Sequence, residues 1–271
     1  MGFREDNSLF GRRKVRFSFI LIISVSLLAV FFIINASQET ESDIYSGPVL
    51  NSGGERKSMS NLNQSANTKQ VEEETVAPKE EIPHALNLPV PFTVQAPEAQ
   101  WVPPFKEACE EAAILNVHNF YQDRILTATE ARQEIANIVD WENNYFGYYK
   151  DTTAAETGEM MQEYYGYNKV EVIDDPTVKL IKQHIAAGRP VIAPFAGQQL
   201  GNPYFTPPGP LYHMLVIRGY DQTYFYTNDV GTRRGDNYQY TIATIMEAMH
   251  DWNGGAVATG AKRIIVAYPN E

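Results

Sequence analysis

The sequence predicts an α+β fold in which an N-terminal helical part packs on an antiparallel sheet. Three observations predict it. Apolar residues recur at helical spacing between about Lys106 and Asp123, at Ala112, Ala113, Leu115, Val117 and Phe120. Beyond Pro190 the apolar runs shorten to strand length: Pro190 to Phe195, Tyr212 to Tyr220 and Thr223 to Thr227. Helical patterns therefore come first and strands mostly follow, which is the layout of α+β domains.

Each element has its own signal. Pro89-Val90-Pro91-Phe92-Thr93-Val94 reads as extended, with prolines that suit an edge strand. The helix from Lys106 follows. Thr127 or Thr129 is placed to cap a second helix through Val139. Ala154 to Tyr165 reads as a third helix, stopped by Gly166. Lys169 to Ile173 alternates as a strand does. Thr177 to Ala187 is helical and closes on Gly188, with Pro190 just beyond. Asp221-Gln222 forms the tight turn between the strands ending at Tyr220 and starting at Thr223. Thr241 to Trp252 reads as a short helix and Arg263 to Tyr268 as a closing strand.

The 271 residues leave room for one ordinary domain plus further segments. With 33 acidic against 22 basic residues the net charge is -11, so the basic footprint of a nucleic-acid partner is missing. Residues 1–16 carry the cluster Arg12, Arg13, Lys14 and Arg16, which is expected to stay in the cytoplasm. An uncharged run of about 18 residues, Phe17 to Ile34, is at the lower limit for a membrane-spanning helix. Residues 17–36 are read as a transmembrane anchor or signal segment. The anchor is favoured because signal cores are shorter and Ile34-Asn35-Ala36-Ser37 has no small residue at the −3 position. Residues 37–84, rich in Ser, Asn, Gln, Glu and Thr, read as a disordered polar linker, and 85–271 as the folded domain. The domain is then expected outside the cytoplasm, membrane-anchored, or secreted if the N-terminus is cleaved.

That placement bears on Cys109, the single cysteine. Outside the cytoplasm cysteines normally pair, and a lone one is buried and inert, bound to another chain, or free for reaction. Cys109 sits at the predicted start of a helix, where backbone N–H groups and the helix dipole favour a thiolate. His213 begins the apolar run His213-Met214-Leu215-Val216-Ile217, positioned by a sheet at its mouth. The other histidines read as a linker residue (His84) or as residues of predicted helices (His118, His184 and His250). Asp229 lies past the strand that hairpins back from His213. Counting about eight residues out and seven back returns it to the level of His213, where a carboxylate orients the imidazole; Asn228 is the alternative. Gln95 and Gln100 lie upstream as candidate oxyanion donors, with Gln95 the better defined because it ends the predicted strand. Glu110 and Glu111 are expected to cap or brace the helix, or to pair with a basic residue elsewhere.

The strings Val90-Pro91-Phe92-Thr93-Val94-Gln95, Ala108-Cys109-Glu110-Glu111-Ala112, His213 to Asp221 and Asn228-Asp229 together resemble the C-39-like cysteine peptidases. These are relatives of the bacteriocin leader peptidases in the papain-like superfamily. The resemblance spans about Leu86 to Tyr268. It implies a papain-like fold and a Cys–His–Asp triad with a glutamine oxyanion donor, which fall on Cys109, His213, Asp229 and Gln95. It implies thiol-dependent hydrolysis of peptide or related amide bonds in a peptide or protein substrate, with no metal or cofactor. Many members carry Gly-Pro after the nucleophile, where this chain has Glu110-Glu111. Leader processing is not carried over, because members that do it are fused to a transporter and an ATPase. The glycine- and proline-rich loop Gly197 to Pro210 reads equally as a border of the substrate cleft or as a plain surface loop. Two other readings fit the same residues: a cell-wall amidase or endopeptidase, and an inactive surface binding module.

Overall fold

A computed structural model describes residues 82–270. The expected basic N-terminus (1–16), anchor (17–36) and the linker as far as residue 81 lie outside the described residues. Among the described residues no helix is long and apolar enough to cross a membrane.

The elements run β1 (Leu86–Asn87), α1 (Cys109–Tyr121), α2 (Ala128–Tyr145), α3 (Ala154–Glu163), β2 (Val170–Asp174), α4 (Val178–Ala186), β3 (Val191–Ala196), β4 (Tyr212–Tyr220), β5 (Tyr224–Asn228), β6 (Tyr238–Thr241), α5 (Ile242–Ala248) and β7 (Arg263–Ala267). Every strand pairing is antiparallel, in the order β2-β7-β3-β4-β5-β6, with β1 added to the far end of β4 at Tyr220 and Gly219. The expected mix of helices and antiparallel sheet is what the chain forms.

The sheet is buried on both faces. Met214 and Val216 of β4, with Ile192 and Ile265, pack on one side against Ala112, Leu115, Ile135, Met160 and their neighbours in α1, α2 and α3. The intervening Leu215 and Ile217, with Ala193, Ile264 and Val266, pack on the other side against Ile181 and Ile185 of α4 and Ile245 of α5. This is the period-2 alternation of a strand with both faces covered. Each fully buried large aliphatic side chain contributes about 1.5–3 kcal/mol by leaving water.

Threonines start four of the five described helices. Thr127 and Thr153 form full capping boxes with Glu130 and Glu156, and Thr177 and Thr241 accept from backbone N–H groups in α4 and α5. Thr127, rather than Thr129, is the cap of α2. The exception is α1, whose N-cap is Ala108 and which has no side-chain cap. Its first-turn N–H groups, including that of Cys109, are left without such an acceptor.

Several boundaries differ from expectation. The segment Pro89–Val94 is not a strand. Prolines 89 and 91 have no N–H to give a ladder, and buried side-chain amides hold the segment instead. Asn116 of α1 accepts from the Thr93 N–H (2.9 Å) and donates to the Thr93 carbonyl (2.9 Å), while Asn228 donates to the carbonyls of Val90 and Pro91. The strand pairing comes earlier, at Leu86–Asn87. Helix α2 continues past Val139 to Tyr145. Helix α5 stops at Ala248, not Trp252, because the next residues are drawn to β3: Met249 bridges Phe195, and the His250 N–H donates to the Pro194 carbonyl (3.1 Å). His250 is therefore not helical. Strand β6, Tyr238–Thr241, was not anticipated; its Tyr-Gln-Tyr-Thr alternation was its signal.

Asn116 is the only tie between α1 and the Thr93 backbone among the hydrogen bonds of the described residues. Asn116→Ala is expected to cost about 2–4 kcal/mol by stranding two buried backbone groups. Urea denaturation followed by circular dichroism measures this, as a lower midpoint with an unchanged slope.

Candidate active site

Helix α1 delivers Cys109 at its uncapped tip, 7 % exposed and free of any disulfide. The sulfur lies against β4, where the Met214 backbone N–H points at it. Burial is the main force raising the thiol pKa well above its ordinary value, and the charges of Glu110 and Glu111 add to it. The Met214 N–H acts the other way. In this resting geometry the thiol donates its hydrogen bond to Glu110 Oε2 at 3.0 Å, not to His213.

The residue before Met214 is His213, 1 % exposed at the opening of β4. Its Nε2 faces Asp229 Oδ1 at 2.8 Å. The arithmetic of the hairpin needs one correction. Arg218 is an extra residue in β4, because pairing runs Ile217↔Thr227 and then Gly219↔Tyr226. With Val216 opposite Asn228, Asp229 falls opposite Leu215, two residues short of His213 on the same face, and reaches it diagonally. The bulged Arg218 is used: it donates to the Leu88 carbonyl (2.8 Å) and to Asn228 Oδ1 (3.1 Å). Asn228 thus serves the Pro89–Val94 segment and is not the partner of the imidazole.

Asp229 is fully buried and has four hydrogen bonds. Oδ1 accepts from His213 and from the Gly231 N–H (3.0 Å), and Oδ2 accepts from Asn202 Nδ2 (2.8 Å) and the Tyr240 hydroxyl (2.6 Å). Burial alone would raise its pKa. The facing imidazole, and then the hydrogen bonds from His213, Tyr240 and Asn202, outweigh burial and hold it below the ordinary carboxylate value. Asn202 and Tyr240 escaped the sequence reading. Asn202 lies in the 197–210 loop, and Tyr240 in the unanticipated β6.

Gln95 is buried, and its backbone N–H donates to the Val230 carbonyl (3.0 Å), which binds it to the loop after Asp229. One N–H of its side-chain amide goes to the Phe105 carbonyl at 3.1 Å. A primary amide has two, so the second remains available. Gln100 is exposed and is not among the residues around the cleft. That cleft, of about 290 Å³, is lined by Gln95, Cys109 and His213 together, with Trp101, Phe205, Tyr212 and Gly231 among its walls. Of the two readings of the 197–210 loop, the border of the cleft is the one the structure shows. Phe205 meets the His213 ring edge-on at 5.4 Å.

Gly231 is required at the rim. A Cβ there would lie 2.8 Å from His213 Cε1 and 3.0 Å from a Phe205 ring carbon.

Glu110 and Glu111 do not behave as helix-bracing surface residues, nor do they pair with a basic residue. Both are fully buried, and Glu142 of α2 is buried with them. Glu111 and Glu142 face each other, and among the described residues their carboxyl groups have no hydrogen-bond partner but one another. Burial first, and then neighbouring carboxylates, raises the pKa of all three, that of Glu142 to about 9. At neutral pH Glu142 therefore holds its proton. Of the remaining histidines, His118 stacks on Tyr165 at 3.9 Å and His184 is buried in α4, both as ordinary structural residues. Among the described residues no group of three or more His, Cys, Asp and Glu side chains is arranged to hold a metal ion.

A helix-tip thiol and a carboxylate-backed imidazole, opening on one cleft of an α+β fold, define the class of the cysteine hydrolases. Within that class the chain belongs to the Peptidase_C39 like family, whose model matches residues 87–255. It is a peptidase by family, with the cysteine peptidase type of fold. Among solved structures it is similar to one described as a C39-like peptidase from Bacillus anthracis, at 16% identity and a TM-score of 0.47, covering 69% of this chain and 98% of that one. No curated protein matches.

The buried carboxyls set a pH dependence of stability. Unfolded, Glu142 titrates at its ordinary value of 4.5; folded, it keeps its proton to about 9. Between these values the native state binds more protons than the unfolded chain, so stability falls as pH rises through that window. Glu142→Gln is expected to flatten the fall and to gain roughly 1–3 kcal/mol over the parent at about pH 8.5, with little difference at about pH 4. Urea midpoints at the two pH values measure it.

Proposed function

We propose that this peptidase hydrolyses peptide bonds with Cys109 as nucleophile, His213 as general base and acid, Asp229 as the orienting carboxylate, and Gln95 with the Cys109 backbone N–H as oxyanion donors. The observation that carries the proposal is the buried 2.8 Å His213–Asp229 contact beside the cleft that Cys109 shares. Asp229 holds Nε2, which leaves the other ring nitrogen, Nδ1, for the thiol.

The steps follow from the groups in place. The thiol leaves Glu110, turns to His213 and transfers its proton to Nδ1, forming a thiolate and an imidazolium. Asp229, kept ionised, stabilises that imidazolium without taking its proton. The sulfur attacks the carbonyl carbon, and the oxygen takes up negative charge facing the free Gln95 N–H and the uncapped N–H of Cys109. The C–N bond breaks as His213 returns the proton to the leaving amine. Water, deprotonated by the now neutral imidazole, then hydrolyses the thioester. The raised thiol pKa makes the imidazolium essential: a neutral site would leave Cys109 protonated.

We place this chemistry outside the cytoplasm, on a domain held by residues 17–36 as a membrane anchor. The basic cluster before the uncharged run and the polar linker after it support this reading. The substrate is a peptide or protein chain able to lie across the cleft.

Cys109→Ala is expected to abolish hydrolysis of fluorogenic peptides with no change in the urea midpoint. Gln95→Ala is expected to lower kcat roughly 100-fold or more, since one oxyanion donor is worth that much. Hydrolysis by Cys109→Ala at the parent rate sinks the proposal. Membrane fractionation of cells making the full chain, before and after deletion of residues 17–36, tests the anchor.

A further inference from the structure

Next to the cysteine–histidine cleft lies a second one of about 390 Å³, lined by Trp101, Tyr204, Thr206, Gly231, Thr232, Arg233 and Arg234. The two share Trp101, Thr206 and Gly231, so they are neighbouring stretches of one groove. Gly231 is the threshold, in contact range of the imidazole.

The two stretches differ in charge. Around Cys109 the wall includes Glu107 and Asp151, with Lys106 already paired to Glu107 at 3.2 Å. Beyond Gly231 the charges are Arg233 and Arg234, and neither forms an ion pair with any described residue. The nearest acid in sequence, Asp236, is engaged with Arg218. In a chain of net charge -11, two adjacent cations with no carboxylate partner, both facing a groove, are out of balance with their surroundings.

Arg234 is also held. The Arg234 guanidinium stacks over the Tyr204 ring at 4.7 Å, and its backbone N–H donates to Thr232 Oγ1 at 3.2 Å. The loop that carries them is closed by Asp229: the Asp229 N–H donates to the Gly235 carbonyl (2.9 Å) and the Gly231 N–H to Asp229 Oδ1. A Cβ on Gly235 would lie 1.7 Å from the Asp229 carbonyl oxygen, so the turn admits only glycine. The opposite wall has the same root, since the Tyr204 N–H donates to Asn202 Oδ1 and Asn202 donates to Asp229. Both walls are thus in register with the carboxylate that orients His213.

We propose that this second stretch is a subsite for a carboxylate on the leaving-group side of the peptide, either an acidic side chain or the chain terminus. The proposal rests on the catalytic roles given above. The imidazolium returns its proton to the leaving nitrogen, so that nitrogen and the chain after it lie on the His213 side of the sulfur, towards Gly231 and the arginines. A carboxylate there meets two guanidinium groups able to bind it with paired N–H donors. In the other direction it would meet Glu107 and Asp151, so charge also sets the direction in which an acidic peptide lies.

The test uses the full chain and internally quenched peptides with one cleavable core, carrying Glu, Gln or Lys two residues past the scissile bond, each with a free or amidated C-terminus. The amidated Glu peptide is expected to exceed its Gln counterpart in kcat/KM about ten-fold, and Arg233→Gln/Arg234→Gln to bring that ratio close to one. A preference that follows the free terminus instead assigns the subsite to a chain end, and must vanish in the same double variant. Equal cleavage of Glu, Gln and free-terminus peptides by the parent protein overturns the proposal, as does a preference that survives the double variant. Affinity for the same peptides is measured on Cys109→Ala protein, by calorimetry. If the parent hydrolyses none of them, the catalytic reading fails, and the affinity of the Glu peptide over the Gln peptide, with and without the two arginines, still decides the subsite.

Discussion

Asp229 is a carboxylate taken wholly out of water, and a buried charge without partners costs several kcal/mol. The fold meets that cost with four donors from four different places: His213 on β4, Gly231 in the following loop, Asn202 in the 197–210 loop and Tyr240 on β6. Remove that carboxylate and three segments lose their common point of attachment. Its ionised state follows from these contacts, since burial by itself favours the acid. The imidazole is in turn fixed by Asp229 on one side, Phe205 on another and the side-chain-free Gly231 at the rim.

Cys109 has a different environment. Its helix tip offers uncapped N–H groups that favour an anion, and its nearest side chains, Glu110 and Glu111, oppose one. Burial decides the balance towards the thiol. It also pushes Glu110, Glu111 and Glu142 towards their neutral forms, which weakens the repulsion they exert on a thiolate. The thiol rests on Glu110 as a hydrogen-bond donor, and its burial favours the protonated form. The Gly-Pro that many C-39-like peptidases carry at this place has no such acceptor, so the hydrogen bond from the Cys109 thiol to Glu110 is a feature of this chain's own residues.

Much of this was legible because it depends on short-range patterns. Threonine caps, Gly188 after α4 and the Asp221 turn are local, and Asp221 does close the hairpin, its Oδ1 accepting from Thr223 and Tyr224 N–H groups. Cys109, His213 and Asp229 could be named from motif and strand arithmetic. What escaped depends on contacts distant in the chain. The bulge at Arg218 is set by partners at Leu88 and Asn228, and no count of residues within the hairpin reveals it. Glu110 and Glu111 look like surface residues at a helix start; only the packing of α2 against α1 buries them with Glu142. Pro89–Val94 has strand character but no ladder, since its partners are the amides of Asn116 and Asn228.

The bulge also explains how a nine-residue strand serves two needs. Without Arg218 as an extra residue, regular pairing from Tyr220 and Phe225 would set Asp229 one position further along β4, on the other face of the sheet. One inserted residue restores the face and shortens the reach, so the carboxylate comes to the imidazole diagonally at 2.8 Å. The same insertion frees the Arg218 side chain to hold Leu88 and Asn228, and Asn228 holds Val90 and Pro91. That segment ends at Gln95. A single irregularity in β4 therefore bears both on the carboxylate that meets His213 and, through Asn228 and the segment it holds, on the amide that faces the cleft.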